Sequence, residues 1–239
     1  QLNFKNAILL EIAKQVNSLS AQYEPCSVNL RRSSMRKVLK LVLSAMPNNA
    51  VRGFLLAAVW AHKNVYGAEL IKKASSVVQA GPFRGMKGIS KSHWSGFQDA
   101  PSKLLGTYEE QLLPHLMPPG KTWESLFCIG AGDGYWAVGL KLQAVAKSVT
   151  AFEMNPDSRE RIGELAKANQ VDIVVHGEAR SRELINLAGS AGKDSLWIFD
   201  IEGAEFEIIS EEFLRKASSN TLVIEMHGTE SDRSQFRER

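Results

Sequence analysis

The chain has 239 residues, 44% of them hydrophobic and 23% charged, with two cysteines and a formal net charge of +3. That balance excludes a disordered polymer, and the separation of Cys26 from Cys128, without a C-x-x-C pair, excludes a disulfide framework or a thiolate zinc site. The longest apolar run, Phe54 to Ala61, falls far short of a bilayer span and no charged-then-apolar leader opens the chain, so the expectation is a soluble protein of the reducing cytoplasm.

The net charge hides an asymmetry. Residues 1–120 hold 15 Lys+Arg against 6 Asp+Glu, a balance of +9, and residues 121–239 hold 14 against 20, a balance of −6. A basic half attracts an anionic partner, such as a phosphorylated metabolite or a nucleic acid. A solvated helix face accounts equally well for Arg31, Arg32, Arg36, Lys37 and Lys40.

Residues 1–80 read as an all-helical domain. Phe4, Ile8, Ile12, Val16 and Leu19 recur at helical spacing, followed by Met35, Val38, Leu39, Val42 and Met46. Val51, Phe54, Leu55, Ala58 and Val59 form a third stripe and Leu70, Ile71, Ala74, Val77 and Val78 a fourth, with breaks predicted at Pro47-Asn48-Asn49 and Tyr66-Gly67. Stripes of this kind build a core, and such an appendage is where copies of the chain would pair.

Residues 81–120 read as an irregular connector and cap over the site, carrying Gly81-Pro-Phe-Arg-Gly85, His93-Trp94 and Pro118-Pro-Gly120. Within it Lys103 to Leu113 predicts a short helix entered near Gly106-Thr107. From residue 121 to 239 short apolar runs alternate with helical segments: Ser125–Ile129, Val149–Phe152, Asp172–Val175, Ser195–Phe199 and Thr221–Ile224. This is the pattern of an α/β, Rossmann-like, doubly wound and mostly parallel sheet. Asn155-Pro156 supplies an N-cap and a first-turn proline for a helix at about 156–168.

The first of these runs turns through Gly130, Gly132 and Gly134 into a helix. Glycines at that spacing let the backbone approach a ligand closely, and the helix start offers unpaired N–H groups. A dinucleotide fingerprint would place its third glycine at position 135, where Tyr135 stands, so the pattern fits S-adenosylmethionine better than NAD.

In an open α/β sheet ligands lie off the carboxyl ends of the strands, and those positions are acidic here. Glu153 ends the second run, where a carboxylate can accept both ribose hydroxyls. His176-Gly-Glu-Ala179 ends the third, where Glu178 and a backbone amide can read an adenine edge. Period-two alternation pairs Asp200 with Glu202 and Glu225 with His227. If the fourth and fifth strands are neighbours, these four groups converge, and like-charge repulsion raises a carboxylate pKa toward the range of a general base. Asp200, Glu202 and His227 are the catalytic candidates. The alternative is that Glu202 caps the next helix or that one acid only orients a cofactor. No spacing demands a metal, and none is assigned.

Together these residues resemble the FkbM-type branch of the class I S-adenosylmethionine-dependent methyltransferases, over about Gly81 to Gly228. The resemblance rests on Gly106-Thr-Tyr-Glu109, Ile129-Gly-Ala-Gly-Asp-Gly-Tyr135, Asp200-Ile-Glu-Gly-Ala-Glu205 and Ile224-Glu-Met-His227. It implies a seven-stranded sheet and methyl transfer, most often to a hydroxyl of a sugar or natural product. It also implies that Gly130, Gly132 and Gly134 hold the methionine part of the cofactor, Glu153 its ribose and Glu178 its adenine edge, with Glu109, Asp200 and Glu202 around the sulfonium. Cys128 stands where the family has an acid, which leaves Glu109 to meet the cofactor's amino group. About a dozen residues follow His227, too few for two further strands.

The leading expectation is therefore an O-methyltransferase acting on a small molecule or saccharide, with an anionic acceptor admitted by the basic first half. The alternatives are a nucleic-acid methyltransferase and a non-catalytic cofactor-binding protein with a helical interaction module. An NAD-dependent oxidoreductase stands further back. Arg84, Lys87, His93 and Trp94 of the connector are the residues expected to reach an acceptor.

Overall fold

A computed structural model describes residues 48–93 and 95–237. The helical repeats expected before residue 48, and Trp94, lie outside the described residues. The chain divides into two compact units, residues 1–57 and 58–239. That division does not coincide with the border at residue 80.

Helix α1 (Asn48–Lys73) runs without interruption through Tyr66-Gly67, where the sequence predicts a break. Gly67 serves packing here, not a turn. A Cβ on it would collide with the carbonyl oxygen of Phe97, and Asn64 Oδ1 accepts the Phe97 N–H at 2.8 Å beside it. The helix ends before Val77 and Val78, which were grouped with its last stripe. Ser75 and Ser76 take left-handed backbone angles, and Val77 pairs antiparallel with Lys87. Val78, Phe83, Met86 and Ile89 then enter the core as a buried strap.

The connector's helix is also displaced from its expected place. Helix α2 (Ala100–Leu105) ends at Gly106, whose φ of 71° makes it a left-handed C-cap. A glycine read as an entrance is thus an exit. A 3-10 turn (Glu110–Leu112) and the short α3 (Leu113–Leu116) follow, and Trp123 Nε1 donates to the Leu116 carbonyl at 3.0 Å.

The alternating half forms a strand at each apolar run, the second starting earlier than expected and the third shifted toward His176: β1 (Trp123–Ile129), α4 (Tyr135–Leu142), β2 (Ala146–Phe152), α5 (Pro156–Asn169), β3 (Val174–His176) and α6 (Ser181–Ser190). There follow β4 (Ser195–Phe199), α7 (Glu205–Ile208), α8 (Glu211–Lys216), β5 (Thr221–Ile224) and α9 (Glu230–Arg237). The five strands are parallel in the order β3-β2-β1-β4-β5. The chain winds outward from β1 to β3, then returns to start the other half at β4. The crevice where a doubly wound sheet binds its ligand therefore lies between β1 and β4.

Alternation along the strands splits the core into two layers. Leu126, Cys128, Leu196 and Ile198 face one side with Val138, Leu140 and Ile162, while Phe127, Ile129, Trp197 and Phe199 face the other with Leu184, Ile209 and Phe213. Phe127 and Trp197 stack at 4.0 Å between centroids. Burying each such side chain contributes about 1.5–3 kcal/mol, which holds the strand ends in register. Helix α5 starts as its sequence signals, with Asn155 Oδ1 accepting the Ser158 N–H at 3.0 Å. No described helix is long and apolar enough to cross a membrane.

Candidate functional site

Chain ends leaving adjacent strands are tied to one another in sequence across the sheet. Gly130 and Ala131 both donate to the Phe152 carbonyl at 2.9 Å, Asp200 N donates to Ile129 O at 3.0 Å, and Glu225 N donates to Phe199 O at 2.8 Å. These bonds bring the glycine turn, Asp200 and Glu225 side by side.

The three glycines have different duties. A Cβ on Gly130 would overlap the Asp200 carbonyl oxygen, so this residue lets β1 and β4 come together. Gly134 caps α4, with Ile162 Cγ1 only 3.2 Å from where its Cβ would lie. Gly132 has nothing within 4 Å of that position and borders open space. Of the three, it alone leaves room beside the turn.

Two cavities meet there. The smaller, about 170 Å³, is lined by Phe152, Glu153, Met154, Glu178, Ala179 and Ile208. Glu153 is 4% exposed, and its carboxylate accepts the Gly132 and Asn155 N–H groups, each at 2.8 Å. A carboxylate oxygen holds two lone pairs, so Glu153 can fix the turn and still accept from a ligand hydroxyl. Glu178 is exposed on the rim.

The larger cavity, about 750 Å³, runs from the connector to the ends of β4 and β5. Gly130, Gly132, Asp200 and Glu202 belong to both walls. The connector contributes Ser92, Ser95, Gln98 and Asp99 and, further on, Tyr108, Glu109 and Gln111, whereas Arg84, Lys87 and His93 do not line it. Glu109 projects from a left-handed backbone (φ 45°), and its Oε2 accepts Trp136 Nε1 at 3.2 Å. Cys128 lies in the floor, and burial pushes its thiol up to about 12. Lys103, 5% exposed, donates to Asp133 Oδ2 at 2.7 Å and lies over the Tyr108 ring at 4.8 Å. Sequence reasoning missed this ion pair, because its partners are thirty residues apart and no local pattern links them.

At the far end the expected convergence is present. β4 and β5 are neighbours, and His227 Nε2 lies 3.5 Å from Glu202 Oε2 and 3.7 Å from Glu225 Oε1. One oxygen of Asp200 is buried without a hydrogen bond. Burial first, then repulsion from Glu225, Glu202 and Glu109, pushes the Asp200 carboxyl up to about 7. The His227 ring is anchored by Glu205, whose Oε1 is 2.9 Å from Nδ1. Glu205 was missed as a functional residue. It stands in the Asp200–Glu205 run, but only the return of β5 shows what it touches. Atoms of Asp200, Glu202 and His227 gather within 4.8 Å of one another, as exposed acidic groups commonly do without an ion.

No protein-family model matches the chain, and no curated protein matches it. Among solved structures, TehB from Haemophilus influenzae is 14% identical with a TM-score of 0.38, the match covering 53% of this chain and 44% of that one. A candidate caffeoyl-CoA O-methyltransferase from Staphylococcus aureus is 12% identical with a TM-score of 0.35, covering 48% and 54%. SMU.776, a candidate methyltransferase complexed with SAH, is 10% identical with a TM-score of 0.37, covering 53% and 38%. This chain thus spans between 38% and 54% of the length of these three. These likenesses are partial, and the α/β, Rossmann-like fold stands on the parallel sheet and strand order of the chain itself.

Proposed function

We propose that the chain is an S-adenosylmethionine-dependent methyltransferase, of the FkbM-like branch, that methylates a hydroxyl oxygen of a small molecule or saccharide. The observation that carries this reading is the pair of cavities joined at Gly132, where an open cradle separates a buried carboxylate from an acid-lined chamber. The smaller cavity suits a nucleoside. Its Phe152, Met154 and Ile208 offer apolar surface, Glu153 an acceptor for ribose, and Glu178 a polar rim for an adenine edge. Glu109, fixed by Trp136, is the anion for the amino group, since the Cys128 thiol carries no charge at neutral pH.

When bound, S-adenosylmethionine supplies the methyl group, its C–S bonding pair leaving with the neutral sulfur as a pair on the acceptor oxygen forms the C–O bond. The chain's residues position that oxygen and take its proton. Positioning supplies most of the acceleration in a displacement of this kind. Glu202, which lines the larger cavity, and His227, whose Nε2 lies 3.5 Å from it, are the groups assigned to take the proton, and Asp200 adds a carboxyl that titrates near neutrality. Asp99, Glu109, Asp200, Glu202 and Glu225 line the larger cavity, so an anionic acceptor, a nucleic-acid strand included, is disfavoured against a neutral or cationic one. The buried free thiol fits a cytoplasmic enzyme.

Calorimetric titration with S-adenosylmethionine and S-adenosylhomocysteine tests the reading. Micromolar binding by the wild type, lost in Glu153→Ala, is expected. A folded chain that binds neither ligand refutes it.

A further inference from the structure

Glu205 is fully buried, and the basic group paired with it among the described residues is His227, with no lysine or arginine in an ion pair to it. Its Oε1 accepts the N–H groups of Ile201 and Gly203, both at 3.3 Å, and meets His227 Nδ1 at 2.9 Å. Its Oε2 is buried with no hydrogen-bond partner. Closing the turn between Asp200 and Glu205 requires an acceptor for two amides, and a neutral amide side chain would serve. A buried carboxylate costs more than that, and the group it faces is His227.

An ionised carboxylate can only accept, so the hydrogen on His227 belongs at Nδ1. In the neutral ring the lone pair is then at Nε2. That nitrogen is the one facing Glu202 and Glu225, which line the larger cavity. We infer that Glu205 is the positioning residue that holds His227 in the Nδ1–H form, with Nε2 turned toward Glu202 and Glu225 of the cavity wall, there to receive the proton of the acceptor hydroxyl. This rests on the methyl-transfer reading above. The hydroxyl proton passes to Nε2, the oxygen keeps its electron pair for the new C–O bond, and the imidazolium then loses the proton to water through its exposed edge.

Among the described residues, Glu205 meets the ring at Nδ1, Glu202 and Glu225 lie around Nε2, and an Asp200 carboxylate oxygen lies within 4.8 Å of a ring nitrogen. The hydrogen bond that Nδ1–H donates to Glu205 is the largest influence. Against the opposing effect of burial, it and the neighbouring charges hold the imidazole above its ordinary range. The free-base form, and with it the rate, should therefore grow as pH rises through that raised value.

The test reads the His227 ring by nitrogen-15 NMR together with the pH profile of kcat, in wild type, Glu205→Gln and Glu205→Asp. Expected in the wild type is a neutral ring protonated at Nδ1. Glu205→Gln should retain S-adenosylhomocysteine binding and acceptor KM, lose kcat by about 10²-fold, and titrate at lower pH. Glu205→Asp keeps the charge and should recover part of kcat. His227→Gln covers the case in which Glu205→Gln does not fold, and where both fold the double variant should lose no more than His227→Gln alone. A wild-type ring protonated at Nε2, a Glu205→Gln profile matching the wild type, or full kcat in His227→Gln overturns the inference. A folded wild type that binds no S-adenosylhomocysteine overturns instead the reading beneath it, whatever the tautomer.

Discussion

Replacing Gly130 and Gly132 separately by alanine should separate a glycine kept for the fold from one kept for the ligand. Both have positive φ, 78° and 57°, and a Cβ in that left-handed region costs about 1–2 kcal/mol. At Gly132 that is the whole cost, because the added carbon meets nothing within 4 Å. At Gly130 the carbon would overlap the Asp200 carbonyl oxygen and lie 2.8 Å from its carbonyl carbon and 2.9 Å from Ile201 Cγ2. Relieving such an overlap by shifting backbone adds about 1–3 kcal/mol, for a total of about 2–5 kcal/mol. Urea unfolding followed by tryptophan fluorescence measures the difference, with S-adenosylhomocysteine titration run in parallel. Gly132→Ala should stay folded and lose binding, and Gly130→Ala should lose stability first. Equal destabilisation of the two, or undiminished binding by Gly132→Ala, would refute the assignment of their duties.

Asp200 keeps its proton to about pH 7 in the folded chain but sheds it near 3.8 when unfolded, so the folded state binds more protons in between. Stability should fall as pH rises across that window and level off above it, and Asp200→Asn should flatten the fall in urea midpoints taken at pH 5 and pH 8. Lys103→Met strands the Asp133 carboxylate and should cost about 3 kcal/mol by the same unfolding assay, with most of the loss recovered in Lys103→Met/Asp133→Asn. Trp136→Phe removes the N–H that holds Glu109. It should weaken S-adenosylmethionine while leaving 5′-methylthioadenosine, which lacks the amino-acid end, unaffected in calorimetry.

Strands β1 and β4 were legible because each is an apolar run buried on both faces, and β2 and β5 because their last residues are apolar and are followed by an acid, Glu153 and Glu225. The acids at their ends followed from the rule that places ligands there. What escaped the sequence depends on contacts distant along the chain. Gly67 looked like a break until Phe97 was seen against it, and Gly106 signals a turn without saying on which side of it the helix lies. Glu205 looked like one more acid in an acidic run. Its meaning comes from His227, twenty-two residues later, brought back by β5. Likewise Lys103 and Asp133 meet only because the connector folds over the glycine turn.

Half of the candidate site is main chain. The amides of Gly130, Ala131 and Gly132 are committed to Phe152 and Glu153, and the open space beside Gly132 exists because that residue has no side chain. Substitution can abolish such a surface but can scarcely retune it. Any descendant of this chain that acquires a new acceptor must therefore do so through the side-chain part: the ends of β4 and β5, and the Ser92 to Leu112 stretch of the connector. Diversification would be confined to one wall of the crevice while the opposite wall stays as it is. A library for altered specificity should be drawn along that same line.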